Sequence, residues 1–159
     1  MSDDVRQRFD AIVEAGEAER VQERDFVSIF TLDSDLRYGL LDDLGWAMVD
    51  GAQLIPFQRG NETAFVEVLE HPRAAFDEQL EQGAVARGFP GEAVLFSFPA
   101  AEIVTAVLAG SSQHFCRLAL LWLLPTELRG LRDAILAVAQ GSDWPVALRD
   151  LAQRLVVRE

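Results

Sequence analysis

The sequence predicts an α+β fold that is predominantly helical. Apolar residues recur three and four positions apart near both ends of the chain, which is the spacing of amphipathic helices. Between these regions, aromatic and β-branched runs flank the turn residues Gly60 and Asn61, a pattern typical of a β-hairpin. We therefore expect N-terminal helices, a small antiparallel hairpin or sheet over about 53–98, and four C-terminal helices over about 99–157.

The length of the chain predicts a single globular domain. At 159 residues it lies within the usual range of roughly 100–200 residues per domain. Half of the residues are hydrophobic, which is enough for a core that needs neither disulfides nor a metal. Within residues 1–159 we expect an acidic helical part (1–50), a mixed β part (51–98) and a helical bundle (99–159).

The acidic part is expected to be largely helical. Ser2 or Asp3 can cap a first helix, because apolar residues follow at helical spacing. Residues 17–25 are highly charged, and residues 26–30 fit a strand and a helix equally well. An apolar stripe then falls at every fourth position, at Leu36, Leu40, Leu44 and Met48. This stripe predicts a helix over residues 31–49.

The mixed part is expected to alternate between strands and one short helix. The predicted elements are a strand at 53–58, a turn at 59–62, a strand at 63–69, a helix at 73–82 and a strand at 93–98. Pro56 marks the first strand as an edge strand, since proline cannot donate to a neighbouring strand.

Four helices are predicted in the C-terminal part, because residues that favour helix starts and helix ends recur along it. Residues that favour helix starts stand at Pro99, Ser112, Pro125 and Pro145. Glycines at Gly110 and Gly141 end two of these helices. Four helices with short connections pack as an antiparallel bundle or as a short helical stack, and the sequence fits both arrangements.

The charge of the chain is uneven. The formal net charge is −12; residues 1–80 hold 18 acids and 7 Arg, whereas residues 81–159 hold 8 acids and 7 Arg. A negative field repels nucleic-acid phosphates and anionic membrane surfaces, so neither is an expected partner. The longest apolar run, 118–125, is far shorter than the roughly twenty residues that span a bilayer. With one cysteine and an acidic start in place of a signal peptide, we expect a bacterial cytoplasmic protein.

Several kinds of enzyme are excluded by what the sequence lacks. All 14 basic residues are Arg, which excludes lysine Schiff-base chemistry and the lysine of a Walker loop. Serine-hydrolase, zinc-protease and dinucleotide motifs are absent. His114 and Cys116 lie two apart on a predicted helix and therefore point in different directions, so they cannot share a metal ion. The sequence therefore predicts no cofactor, no metal site and no catalytic residue.

The leading functional hypothesis is a non-enzymatic interaction factor, such as an immunity protein, chaperone or adaptor. Its acidic half would bind a protein partner, possibly a basic one, through a face with the residues Asp35, Asp42, Asp43, Trp46 and Asp50. Trp46 is predicted to be partly exposed, because it lies between acidic residues on the less apolar side of its predicted helix. An exposed tryptophan would mark an interface, since tryptophan is enriched at binding hot spots.

The sequence is also compatible with other functions. The first is a small-ligand-binding domain or enzyme, with a pocket between the β part and the C-terminal helices lined by Glu67, His71, His114 and Arg117. A second is an acidic mimic of nucleic acid. A homo-oligomer is also compatible with the sequence, because arginines of the last two helices could meet the acidic half of another copy. Those arginines are Arg129, Arg132, Arg149 and Arg154.

Overall fold

The computed structural model describes residues 3–157, which form two compact units. The N-terminal unit comprises residues 1–59 and 74–98, and the C-terminal unit comprises residues 60–73 and 99–159. The predicted α+β class, predominantly helical, is confirmed. Ser2, one of the two proposed caps of the first helix, lies outside the described residues. The prediction of a single domain stays a prediction.

The N-terminal unit combines a five-stranded sheet with three helices. Its elements are α1 (Asp3–Glu14), β1 (Glu19–Val21), β2 (Arg24–Thr31), β3 (Arg37–Leu41), β4 (Trp46–Asp50), β5 (Gln53–Pro56), α2 (Arg73–Ala86) and α3 (Gly91–Ser97). The strands are antiparallel and follow one another in chain order, so the sheet is a meander. Residues 26–30, which fitted a strand and a helix equally well, lie in β2.

The helix predicted over residues 31–49 is wrong: this segment forms β3, β4 and the turns before each of them. Tyr38 pairs with Met48 across the two strands, and the turn closes with a 2.9 Å hydrogen bond from Leu41 N–H to the Gly45 carbonyl. Both strands are buried on both faces, so their apolar residues run on without the alternation that marks a half-buried strand. The sheet therefore lies at 19–56, earlier than the predicted 53–98.

Two other predicted strands are helical. Residues 63–69 belong to a 3₁₀ helix (Glu62–Glu70), in which Phe65, Val68 and Leu69 are buried. The strand predicted at 93–98 is replaced by α3, where Val94 and Phe98, four positions apart, are both buried. Only the first predicted strand of the mixed part is confirmed, as β5.

The helix predicted at 73–82 is present but extends past its expected end at Gly83. There the helix lies directly against β2, and a Cβ added to Gly83 would meet the Ile29 carbonyl oxygen at 2.0 Å. This glycine therefore permits close packing of a helix on a strand, and it does not end the helix.

Aromatic side chains form the core between the sheet and α2 and α3. Phe30 stacks on Tyr38 with 4.9 Å between ring centroids, and Phe76 meets Phe30 edge-on at 5.3 Å. Phe98 meets Trp46 edge-on at 5.1 Å. Offset and edge-to-face contacts of this kind are favoured by the charge distribution of aromatic rings.

The C-terminal unit is helical in its described residues. It contains the 3₁₀ helix, α4 (Ala100–Leu108), α5 (Gln113–Trp122), α6 (Arg132–Gln140) and α7 (Val146–Val157). The four predicted α-helices are confirmed, and the Ser112 side chain caps α5 by accepting from the Phe115 N–H. The helix start predicted at Pro125 is wrong, because residues 125–131 form turns and α6 begins at Arg132.

One stretch, Gly91–Leu108, is long and apolar enough to pass a simple test for a membrane span. It consists of two helices, α3 and α4, separated at Phe98 and Pro99, and many of its apolar side chains are buried in the protein. Such burial is typical of helices that contribute to a protein core.

Candidate functional site

The β3–β4 turn carries two of the predicted partner-binding carboxylates, and both are paired. Arg24 Nε donates to Asp42 Oδ1 at 2.9 Å, and its Nη2 lies 3.1 Å from Asp43 Oδ2. The hydrogen bond to Asp42 is the main cause of a raised pKa for Arg24. Burial acts to raise the pKa of Asp43. The Gly45 N–H, 2.8 Å away, and Arg24 together outweigh burial, so the pKa of Asp43 lies below its usual value.

Asp35 and Asp50 lie at the opposite end of the sheet from this pair. Asp35 is in the β2–β3 turn, where its φ of +63° is left-handed, and Asp50 is the last residue of β4. Because Arg37 pairs with Val49, the residues just before β3 and just after Val49 share one sheet end. Asp33 lies in the same turn as Asp35, and all three carboxylates are exposed.

Trp46 is buried, so the predicted exposure is wrong. Only 4% of its surface is accessible, and its indole N–H donates to Ser97 Oγ at 3.0 Å. The residue is in β4, where both faces are covered, and its polar N–H is satisfied within the core. The five predicted partner-binding residues therefore form three separate groups: the paired turn, the opposite sheet end and the core.

The negative charge belongs mainly to the N-terminal unit. This unit holds 17 acids and 7 Arg, a formal net charge of −10, whereas the C-terminal unit holds 9 acids and 7 Arg, a net charge of −2. Arg6, Arg20, Arg24 and Arg37 of the N-terminal unit pair with carboxylates. Most of its acids still have no cationic partner within residues 3–157.

The C-terminal unit contains an open groove of about 590 Å³ between α5 and α7. The groove is lined by Gln113, His114, Arg117, Leu121, Pro145, Ala147, Leu148, Leu151 and Arg154. Two of the four residues predicted for a pocket, His114 and Arg117, line it together, because residues three apart share a helix face. Glu67 and His71 do not line it.

His114 contacts a carboxylate that the predicted site did not include. Its Nε2 lies 2.6 Å from Glu70 Oε1, at the end of the 3₁₀ helix, and both side chains are exposed. His71 instead uses its backbone: its carbonyl oxygen accepts from the Trp122 indole N–H at 3.1 Å. Glu70 and His114 join the 3₁₀ helix to α5, whereas His71 has a structural contact.

A half-buried ion pair lies near this contact and was not predicted from the sequence. Arg73 donates through both terminal nitrogens to Glu127, at 3.0 and 2.9 Å, and its guanidinium lies 4.3 Å from the centroid of the Trp122 ring. Glu127 also accepts from the Leu124 N–H. Since 54 positions separate Arg73 from Glu127, no local spacing could reveal the pair.

The arginines of the C-terminal helices differ from those of the N-terminal unit. In the described part of the chain, four of them make no ion pair: Arg117, Arg129, Arg149 and Arg154. Asp133 and Asp150 stand four positions from Arg129 and Arg154, at helical spacing, but do not come within ion-pair distance of them. Arg117, Arg129 and Arg154 are exposed to solvent without an internal counter-charge, whereas Arg149 is half-buried.

Neither a metal cluster nor a reactive thiol stands out among residues 3–157. No three His, Cys, Asp or Glu side chains in this range come together as metal ligands. Cys116 is buried, and burial raises the pKa of its thiol to about 11, which keeps it protonated near neutral pH.

Comparison with known proteins adds no assignment. No family model, curated protein or solved structure matches the chain.

Proposed function

We propose that the protein is a non-enzymatic, cytoplasmic interaction factor that binds a basic protein partner through its N-terminal unit. Immunity proteins, chaperones and adaptors belong to this functional class. The observation that carries the proposal is the charge of −10 on this unit, of which only a minority of carboxylates is paired with arginine. A surface of that kind attracts cationic partners over distance and orients them before contact.

Within that unit, the end of the sheet formed by Asp33, Asp35 and Asp50 is the best candidate contact. We call it the acidic sheet end. Its carboxylates are exposed and have no arginine partner among the described residues. Asp42 and Asp43 already share Arg24, so a new cation would gain less by pairing with them.

The alternative, a ligand-binding domain or enzyme, has weaker support. Only His114 and Arg117 of its four proposed residues share a groove, and the His114–Glu70 contact has no nucleophile among its hydrogen-bond partners. General acid–base chemistry needs a substrate site beside the pair, and this exposed contact offers little shelter from water.

The test is affinity purification from native lysate with the full chain as bait, at about 0.05 M and 0.5 M salt. We expect a stoichiometric basic partner at low salt and little at high salt. The variant D33N/D35N/D50N should lose it. The control E14Q/E17Q/E23Q removes the same charge at exposed positions outside the acidic sheet end and should retain it. Equal recovery with both variants would contradict the proposed contact, and no partner at either salt would contradict the function.

A further inference from the structure

The groove between α5 and α7 presents unpaired arginines and an exposed apolar side chain. Its lining includes no acidic residue, although the chain has 26 of them, and Arg117 and Arg154 have no ion-pair partner among residues 3–157. Leu121 in the lining is 60% exposed. Exposed apolar side chains beside unpaired charges are typical of an interaction surface.

A surface of opposite charge lies on α2 and α3 of the N-terminal unit. Glu81 and Val85 are four apart on α2, and Glu92 and Phe96 are four apart on α3, so each pair shares a helix face. The first residue of α3, Gly91, lies against the α2 pair, because a Cβ added to it would meet Glu81 Cγ at 2.7 Å and Val85 Cγ2 at 3.0 Å. We call this surface the α2–α3 face.

The α2–α3 face is apolar as well as acidic. Phe96 is 83% exposed and Val85 is 59% exposed, and neither glutamate has a partner among the described residues. Five large hydrophobic side chains are exposed within residues 3–157. Two lie on this face, Leu121 lines the groove, and the other two are Val146 and Val157.

We propose that the α2–α3 face of one copy binds in the α5–α7 groove of a second copy. In this arrangement Phe96 and Val85 cover Leu121, while Glu81 and Glu92 pair with Arg117 and Arg154. The face supplies two exposed apolar side chains and the groove one, each surface supplies two unpaired charges, and the charges have opposite sign. Because the two surfaces differ, the contact is heterologous, and each copy retains one free surface after pairing.

Local complementarity favours a second copy even though the whole chain is negative. At about 0.15 M ionic strength the Debye length is about 8 Å, so charges beyond the contact are largely screened. The glutamates and arginines would then act at close range, where pairing also sets the orientation of the partners. This inference uses none of the residues of the acidic sheet end and stands independently of the proposed function.

The test is sedimentation equilibrium of the full chain over a range of protein concentrations. We expect wild-type protein to gain mass with concentration. The groove variant R117E/R154E and the face variant E81R/E92R should each weaken self-association by at least about tenfold. The control R59E/R129E changes the net charge as much as the groove variant, at exposed positions outside both surfaces, and should associate like wild type.

Mixing separates this contact from other modes of association. An equimolar mixture of the groove and face variants should associate more strongly than either variant alone, because the unchanged face meets the unchanged groove and the charge-reversed groove meets the charge-reversed face. Combining all four changes in one chain should restore association with reversed charges. If a charge reversal disturbs folding, as judged by circular dichroism, Phe96→Ser provides an uncharged change at an exposed site and should weaken association too.

Three results would overturn the proposal. Wild-type protein that stays monomeric at every concentration would do so, and the groove would then be open to an acidic partner of another sequence or to a small anion. Association that persists equally in the groove, face and Phe96→Ser variants would also overturn it, as would a mixture of the two charge-reversal variants that associates no more strongly than either variant alone.

Discussion

The arginines of the two units have different surroundings, although each unit contains seven. In the N-terminal unit four pair with carboxylates, and Arg8 and Arg87 donate to backbone carbonyls. In the C-terminal unit Arg73 pairs with Glu127, whereas Arg117, Arg129, Arg149 and Arg154 make no ion pair in the described part of the chain.

This difference shows why net charge is a poor guide to a local surface. The more acidic unit leaves few cations unpaired, because its carboxylates outnumber its arginines. The C-terminal unit is also slightly negative, at −2, but its groove presents cations alone. Partner chemistry therefore follows from which charges remain unpaired at each surface. One chain can offer an acidic surface and a basic one.

The largest expected effect concerns the aromatic core of the N-terminal unit. Phe76→Ala should lower the free energy of unfolding by about 3–5 kcal/mol, because Phe76 is 2% exposed and packs on Phe30 and Phe98. Urea unfolding followed by circular dichroism measures the change. Phe96→Ala on the exposed face of α3 is the matched control and should change stability by less than about 0.5 kcal/mol. Similar losses of unfolding free energy for both variants would contradict the burial of Phe76 in the aromatic core.

The next effect concerns the half-buried ion pair between Arg73 and Glu127 in the C-terminal unit. Arg73→Met keeps much of the side-chain volume but leaves Glu127 without its guanidinium, and should cost about 1–3 kcal/mol. Replacing both partners, as R73M/E127L, should cost less than the sum of the single changes, because no unpaired charge remains. Arg129→Met is the matched control, since Arg129 makes no ion pair. Additive losses in the double variant would show that the pair does not act as a unit.

The two units also differ in how much of their fold the sequence could predict. The helices α4, α5 and α7 were found because each has an apolar stripe on one face and a recognisable first residue. In the sheet, a helix was wrongly predicted from the stripe at Leu36, Leu40, Leu44 and Met48. Residues four apart share a face in a strand as well as in a helix. Because β3 and β4 are buried on both faces, their sequences lack the alternation of apolar and polar residues that distinguishes a strand from a helix.

The same limit applies to the candidate sites. His114 and Arg117 could be grouped in advance because they are three apart on one helix. The contacts His114–Glu70 and Arg73–Glu127 span 44 and 54 positions, so only the fold brings their partners together. The pairing of Arg24 with the β3–β4 turn depends on how β2 and β3 align. It could not be predicted from the sequence, because a helix was predicted over residues 31–49.

A smaller effect is expected at the cap of α5, where the C-terminal unit depends on local hydrogen bonding. Ser112→Ala removes the acceptor for the Phe115 N–H and should cost about 1 kcal/mol. Ser112→Asp should retain most of the stability, because aspartate also caps helices and favours the positive end of the helix dipole. Ser111→Ala, one position earlier, is the control and should have little effect. Thermal unfolding of the four proteins would rank them, and equal losses at positions 111 and 112 would contradict the cap.

The smallest effect tests the contrast between paired and unpaired arginines directly. Arg24→Met should lower stability at neutral pH by about 0.2–1 kcal/mol, the usual value for an exposed pair, and the loss should shrink in about 1 M salt. Because the folded-state pKa of Asp43 lies below its unfolded value of 3.8, the stability from this pairing is present above pH 3.8. It is lost as the pH falls through the lower folded-state value. The difference between wild type and Arg24→Met should therefore narrow in acid, whereas Arg117→Met should match wild type throughout. A loss in Arg117→Met with the same dependence on salt and pH would mean that the groove arginines have internal partners after all.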